Sequence, residues 1–164
     1  MNRKRPIRNA IILLVVVLLL LAAAFGYRQL TAVSFSARLM DIRMINFEIW
    51  RPFSDTLDAP VTLSTQTQQQ IIGLITAPTY YRDFMSSGYG GDTMFVIKLE
   101  GRNSNGTAVR YACRISNLGE IAIGNLDIGG EHAYLIDDHN PFVVSRMEPR
   151  ALYEQIAKLA GMPE

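Results

Sequence analysis

Residues 9–27, NAIILLVVVLLLLAAAFGY, form a 19-residue stretch without a charge, set between Arg8 and Arg28. As a helix it is about 28 Å long, close to the roughly 30 Å hydrocarbon core of a bilayer. A helix apolar on every side must be surrounded by apolar material, which a chain of 164 residues supplies poorly from its own core. The stretch therefore predicts a transmembrane signal anchor at 9–27 behind a basic cytoplasmic segment at 1–8. Arg3, Lys4, Arg5 and Arg8 precede it, and the first acidic residue is Asp41. Cations beside a membrane are retained on the cytoplasmic side, so the expected topology is single-pass, N-terminus in the cytoplasm and C-terminal domain outside. The alternative is secretion after cleavage at Ala24, because Ala22-Ala23-Ala24 satisfies the small-x-small rule. Against cleavage, Ala10 to Phe25 is an unbroken apolar run of 16 residues, at or past the upper end of signal-peptide cores of about 7–15.

An anchored lipoprotein would carry a cysteine directly after the apolar stretch, and the one cysteine is Cys113. A single cysteine also forbids an internal disulfide, so the exported part must be held by its core. In RYACRIS the thiol alternates with charged neighbours on the side of Tyr111 and Ile115, the pattern of a buried strand residue. Residues 28–37 are expected to form a connector, leaving 38–164 for one domain. Without the four N-terminal cations the chain has 12 basic and 15 acidic residues, a net charge of −3. That balance provides no basic footprint for nucleic acid and no polybasic face for lipid headgroups.

Beyond the connector, Ile45, Phe47 and Ile49 alternate with Asn46, Glu48 and Trp50, which predicts a half-buried strand ended by Pro52. PFSDTLDAP follows as a loop, and Val61 to Leu63 as a short strand. Thr65, with Gln68 in capping-box position, begins a helix carrying Ile71, Leu74 and Ile75 at helical spacing, with Ile72 widening the stripe and Pro78 limiting its length. Tyr80, Tyr81 and Phe84 are expected in an irregular or helical stretch before the loop SSGYGGD. From Thr93 the pattern is β: Phe95, Ile97 and Leu99 alternate with Met94, Val96 and Lys98. GRNSNG and NLGE are turns between this strand, a return over 108–116 and a third strand from Ile121. Ala133–Ile136 and Phe142–Val144 are two further short strands around DDHNP. Ser145-x-x-Glu148 opens a last helix with Leu152, Ile156, Leu159 and Ala160 on one face, and Gly161 just past its end.

The order of these elements predicts an α+β domain: a curved antiparallel sheet of about five or six strands with two helices packed on one face. The STQTQQQIIGLI helix, the FVIKLEG–AVRYACRIS–GEIAIG meander, the AYLI strand and the LYEQIAKLA helix resemble small membrane-anchored exported domains of unknown function from Gram-positive bacteria. The resemblance spans about residues 38–160. It implies a bacterial cell-envelope protein and assigns no site residues.

Chemistry-bearing residues are few. Glu131, His132, Asp137, Asp138 and His139 could act as metal ligands or as an acid/base pair, which frames the alternative of a small exported hydrolase built on Glu131–His139. Two histidines separated by six residues across a strand match no zinc spacing, and DDHNP has the composition of a solvated turn. No cofactor and no metal are expected. Trp50, Tyr80, Tyr81 and Tyr89 stand near turn residues, where aromatic side chains serve recognition, and are the candidate ligand- or partner-contacting residues. The expected function is thus a membrane-tethered, extracytoplasmic, non-catalytic domain that binds a protein or cell-envelope ligand and touches the membrane through 9–27.

Overall fold

The computed structural model describes residues 4–51, 61–82, 91–136 and 147–162. The chain divides into two compact units, Met1–Ala32 and Val33–Glu164. The first contains helix α1 (Lys4–Thr31). Its segment Arg8–Thr31 is 24 residues long, reaches a mean hydropathy of 2.9 and is long and apolar enough to cross a membrane. Its large aliphatic side chains from Ile11 to Leu21 are exposed, as an all-round apolar helix requires when no partner is packed against it.

The second unit is a mixed α+β fold whose strands form one antiparallel sheet of seven, ordered β1-β3-β7-β6-β5-β4-β2. The strands are β1 (Val33–Ser34), β2 (Met40–Trp50), β3 (Thr79–Arg82), β4 (Met94–Arg102), β5 (Ala108–Ser116), β6 (Ile121–Asn125) and β7 (Glu131–Ile136). Among the described residues three helices accompany them: the single turn α2 (Phe35–Arg38), α3 (Thr65–Thr76) and α4 (Met147–Leu159). The sheet exceeds the expected five or six strands because β1 and β3 are two and four residues long, too short for a period to show. Residues 79–82, expected to be irregular or helical, pair with β7 through Tyr80↔Ile136 and Arg82↔Tyr134.

The connector anticipated over 28–37 is likewise part of the fold from Val33 onward. Val33 and Phe35 are buried, and the Phe35 ring meets Tyr80 and Tyr111 edge-on at 5.8 and 5.2 Å. Edge-to-face pairs of this kind favour the contact beyond simple area burial.

The central meander follows the alternation of its sequence. Pairing of Phe95 with Ile115, Ile97 with Cys113 and Leu99 with Tyr111 puts these residues on one face, and Ile121 and Ile123 join them from β6. Ile71 and Ile75 of α3 and Leu152 and Ile156 of α4 belong to the same buried cluster, so both helices cover that face. Phe95 lies at its centre, tilted against Phe47 at 5.3 Å and stacked on Tyr153 at 4.6 Å. On the other face, Lys98 pairs with Glu48 at 3.4 Å, and Arg43 pairs with Glu100.

β2 departs from simple alternation. Its register on β4 shifts between Met40 and Arg43 and again between Met44 and Asn46. The second shift leaves Ile45 as the extra residue, so Met44 turns toward the core and Ile45, expected inside, is 49% exposed. At the first shift Asp41 has φ 53°, a left-handed conformation that aspartate tolerates better than most side chains. The opposing Gly101 leaves room for this close approach: a Cβ would lie 3.1 Å from Leu39 Cβ and 3.2 Å from the Met40 carbonyl oxygen, tighter than ordinary contact.

The cap of α3 falls one residue before the expected Thr65. The Ser64 hydroxyl accepts from the Thr67 backbone N–H at 3.1 Å, and the Gln68 side chain donates to the Leu63 carbonyl at 3.0 Å. Val61–Leu63 forms no ladder; the Val61 N–H donates once to the Phe47 carbonyl, at 3.2 Å. The loop PFSDTLDAP, residues 86–90 of the loop SSGYGGD, the 142–144 strand and Ser145 of the capping box lie outside the described residues.

Candidate binding surfaces

Among the described residues, no three of the His, Cys, Asp and Glu side chains gather where a metal ion could be held. Glu131 and His132 open β7, paired through the backbone with Gly124 and Ile123. Asp137, Asp138 and His139 lie outside the described residues. Cys113, 1% exposed, faces the helices from the middle of β5.

The four aromatic candidates do not form one surface. Tyr80 is 1% exposed, and its hydroxyl donates to the Ile75 carbonyl at 2.6 Å. It is therefore a core residue and not a recognition residue, because the short strand β3 turns it under α3. Burial, assisted by the nearby Cys113, pushes its phenol well above the ordinary range. Trp50 is 39% exposed on edge strand β2, while Tyr81 is half-buried on β3. Four strands stand between theirs in the sheet order. Tyr89 lies outside the described residues.

Two surfaces that aromatic content does not signal are more developed. A groove of about 440 Å³ runs between α3 and α4, lined by Gln70, Gly73, Leu74, Gln155, Lys158 and Leu159. α3 carries no charged residue, the depletion found at the centres of binding interfaces. A Cβ at Gly73 would meet nothing within 4 Å, so no neighbour in the fold demands a glycine in this helix. The sequence signal was an interior helical glycine, which costs about 1 kcal/mol relative to alanine.

The second surface is the β6–β7 turn. The Asn125 side chain accepts from the backbone N–H of Asp127 at 2.9 Å, and the Leu126 N–H donates to the Arg110 carbonyl at 2.9 Å. Asp127 accepts from the Arg110 backbone N–H at 2.7 Å and from its guanidinium at 2.9 and 2.6 Å. These side-chain and backbone hydrogen bonds from Arg110 hold the Asp127 carboxyl below its usual value. Gly129 and Gly130 complete the turn with φ of 75° and 85°. This fixed turn presents Ile128 and Leu126 to the surroundings, 83% and 44% exposed.

Compared with protein-family models, with curated proteins and with solved structures, the chain finds no match in any of the three.

Proposed function

We propose that this is a single-pass, membrane-tethered, extracytoplasmic binding domain that acts without catalysis, taking a protein or cell-envelope ligand in the groove between α3 and α4. The observation that carries the reading is the partly apolar groove, with Gly73 in its wall and Lys158 as its charged lining residue, on a unit that follows a helix of membrane-spanning length. Its volume falls within the range of about 300–1,000 Å³ usual for ligand pockets, and a few amide and ammonium groups around apolar walls are the ordinary make-up of such sites. The four cations before the apolar stretch support export of the C-terminal unit.

Fractionation and N-terminal sequencing test the tether. The chain is expected at full mass in the membrane, with Glu164 outside the cytoplasm; a soluble chain beginning at Phe25 would replace the anchor with a cleaved signal.

Gly73 provides the test of the groove. Gly73→Ala should stabilise the fold by about 1 kcal/mol, because the added methyl enters open space and restricts the unfolded chain. Gly73→Leu should fill the seat. A photo-crosslinker at Gln70 should yield a discrete adduct in cells that Gly73→Leu removes, while one at Asn105 on the β4–β5 turn yields none. Equal adducts at both positions, or an adduct indifferent to Gly73→Leu, would remove the groove from consideration.

A further inference from the structure

We propose that Asn105 is a site of spontaneous deamidation and that Asn103, on the same turn, sets how fast the reaction runs. Asn105-Gly106 is the single Asn-Gly pair in the chain. Glycine after asparagine favours this chemistry because no Cβ shields the peptide nitrogen that attacks the amide, and because its φ is free to turn. Asn105, Gly106 and Thr107 are all exposed at the β4–β5 turn. A Cβ placed on Gly106 would meet nothing within 4 Å, so the space beside the attacking nitrogen is open. The Asn105 side-chain amide has no hydrogen-bond partner among the described residues and is free to rotate onto that nitrogen.

The step balances with water alone. Base removes the Gly106 amide proton, and the nitrogen attacks Asn105 Cγ. The bond from Cγ to Nδ2 breaks, ammonia leaves, and a succinimide ring joins side chain to backbone. Water then adds to one of the two ring carbonyls and opens its bond to nitrogen. Opening at Cγ gives aspartate in the original backbone. Opening at the backbone carbonyl gives isoaspartate, in which the chain runs through Cβ and Cγ. Either product places a carboxylate at the hairpin tip. The isoaspartyl form also lengthens the backbone by one carbon, so pairing is lost inward toward Arg102↔Ala108.

The fold holds this reaction back. The Gly106 N–H, whose proton must leave, donates to the Asn103 carbonyl at 2.9 Å. The Asn103 side chain accepts from the N–H groups of Asn105 and Thr107 at 3.0 and 2.9 Å, and its own N–H donates to the Thr107 carbonyl at 2.9 Å. Bringing the Gly106 nitrogen onto Cγ requires rotation between Asn105 and Gly106, which breaks bonds on both sides. Reaction therefore proceeds through an opened turn, whose population Asn103 controls. The neighbouring turn asparagines are held by their own side chains. Asn103 Oδ1 is engaged as above, and Asn125 Oδ1 accepts from the N–H groups of Asp127 and Ile128 at 2.9 and 3.3 Å. Ser104 and Leu126, which follow them, also carry a Cβ beside the attacking nitrogen.

The experiment incubates the full chain in detergent micelles at mildly alkaline pH, with and without denaturing urea. Trypsin cuts after Arg102 and Arg110 and releases residues 103–110 as one peptide. Chromatography and mass spectrometry resolve its asparaginyl, aspartyl and isoaspartyl forms, with an unincubated digest as background. The expected result is conversion led by Asn105, as an aspartyl–isoaspartyl mixture, and accelerated about tenfold or more by urea. Asn103→Ala should speed conversion of the folded chain about tenfold, the factor equivalent to about 1.4 kcal/mol of lost turn hydrogen bonding. Trp50 emission shows whether the variant is folded. Conversion led by another asparagine, or an aspartyl product without its isoaspartyl partner, would overturn the site. A wild-type rate that urea leaves unchanged would overturn the restraint by the turn, whatever the state of the variant. Equal rates in folded wild type and folded Asn103→Ala would remove Asn103 from the mechanism.

Discussion

Ile156→Asp is expected to unfold the second unit or cost it about 4 kcal/mol or more, a large part of the roughly 5–15 kcal/mol that stabilises an ordinary domain. Ile156 is fully buried in the stripe that α4 turns toward the sheet, within the same cluster as Ile71, Phe95 and Cys113. An aspartate there would be a desolvated carboxylate among aliphatic groups, and protonation would still leave a buried polar group in place of an apolar one. Gln69→Asp is the control: Gln69 is exposed in the first half of α3, where a negative charge is favourable to the helix. Trp50 is the sole tryptophan and stands on the sheet, so its fluorescence follows unfolding independently of α1. Coincident melts of the two variants would show that the buried face of α4 has been misassigned.

The next largest effect is expected at Tyr80. Its hydroxyl satisfies the Ile75 carbonyl near the C-terminal end of α3, one of the carbonyls a helix cannot satisfy internally. Tyr80→Phe should cost about 1–3 kcal/mol by leaving that buried carbonyl unpaired. Tyr80→Ala should cost about 3–5 kcal/mol, because the ring that supports Phe35 is lost as well. The same residue makes stability fall in alkali. Burial keeps the folded phenol protonated well above 10.0, while the unfolded phenol ionises near that value. The contribution is complete below the unfolded value and is lost as pH rises through it toward the folded one, since the unfolded chain then releases a proton the folded chain retains. Denaturant titrations from about pH 9 to about pH 11 should show a shallower decline in Tyr80→Phe. Part of the slope should remain, because burial also raises the phenol of Tyr153. An unchanged slope would exclude Tyr80 as its source.

The parts of this fold that a sequence reveals are those long enough to repeat. Phe95, Ile97 and Leu99 on β4 and Cys113 and Ile115 on β5 alternate over nine-residue strands, and the structure buries them together. α3 and α4 show their buried stripes for the same reason. Val33–Ser34 and Thr79–Arg82 are shorter than one informative period, so their place in the sheet is decided by pairing with distant residues. Ile45 differs for another reason: its strand does alternate, but a bulge moves one residue out of phase, and only the partner strand fixes where. Tyr80 misled because closeness to Pro78 suggested a surface turn, whereas β3 leads directly beneath α3. Both candidate surfaces were legible only as oddities, an interior helical glycine and an isoleucine within a turn.

Cys113 gives the protein a built-in clock. It lies on β5, an interior strand flanked by β4 and β6, with its sulfur sealed beneath the helices. A thiol reagent can reach it only after the helices lift from the sheet or the sheet itself parts, so the rate of alkylation in folded protein counts openings of the core and ignores fraying at the ends. At low reagent concentration that rate reports how often the open form is populated, and at high concentration how fast it forms. The measurement needs no engineered label. The same seclusion spares the thiol from oxidants for as long as the molecule stays closed.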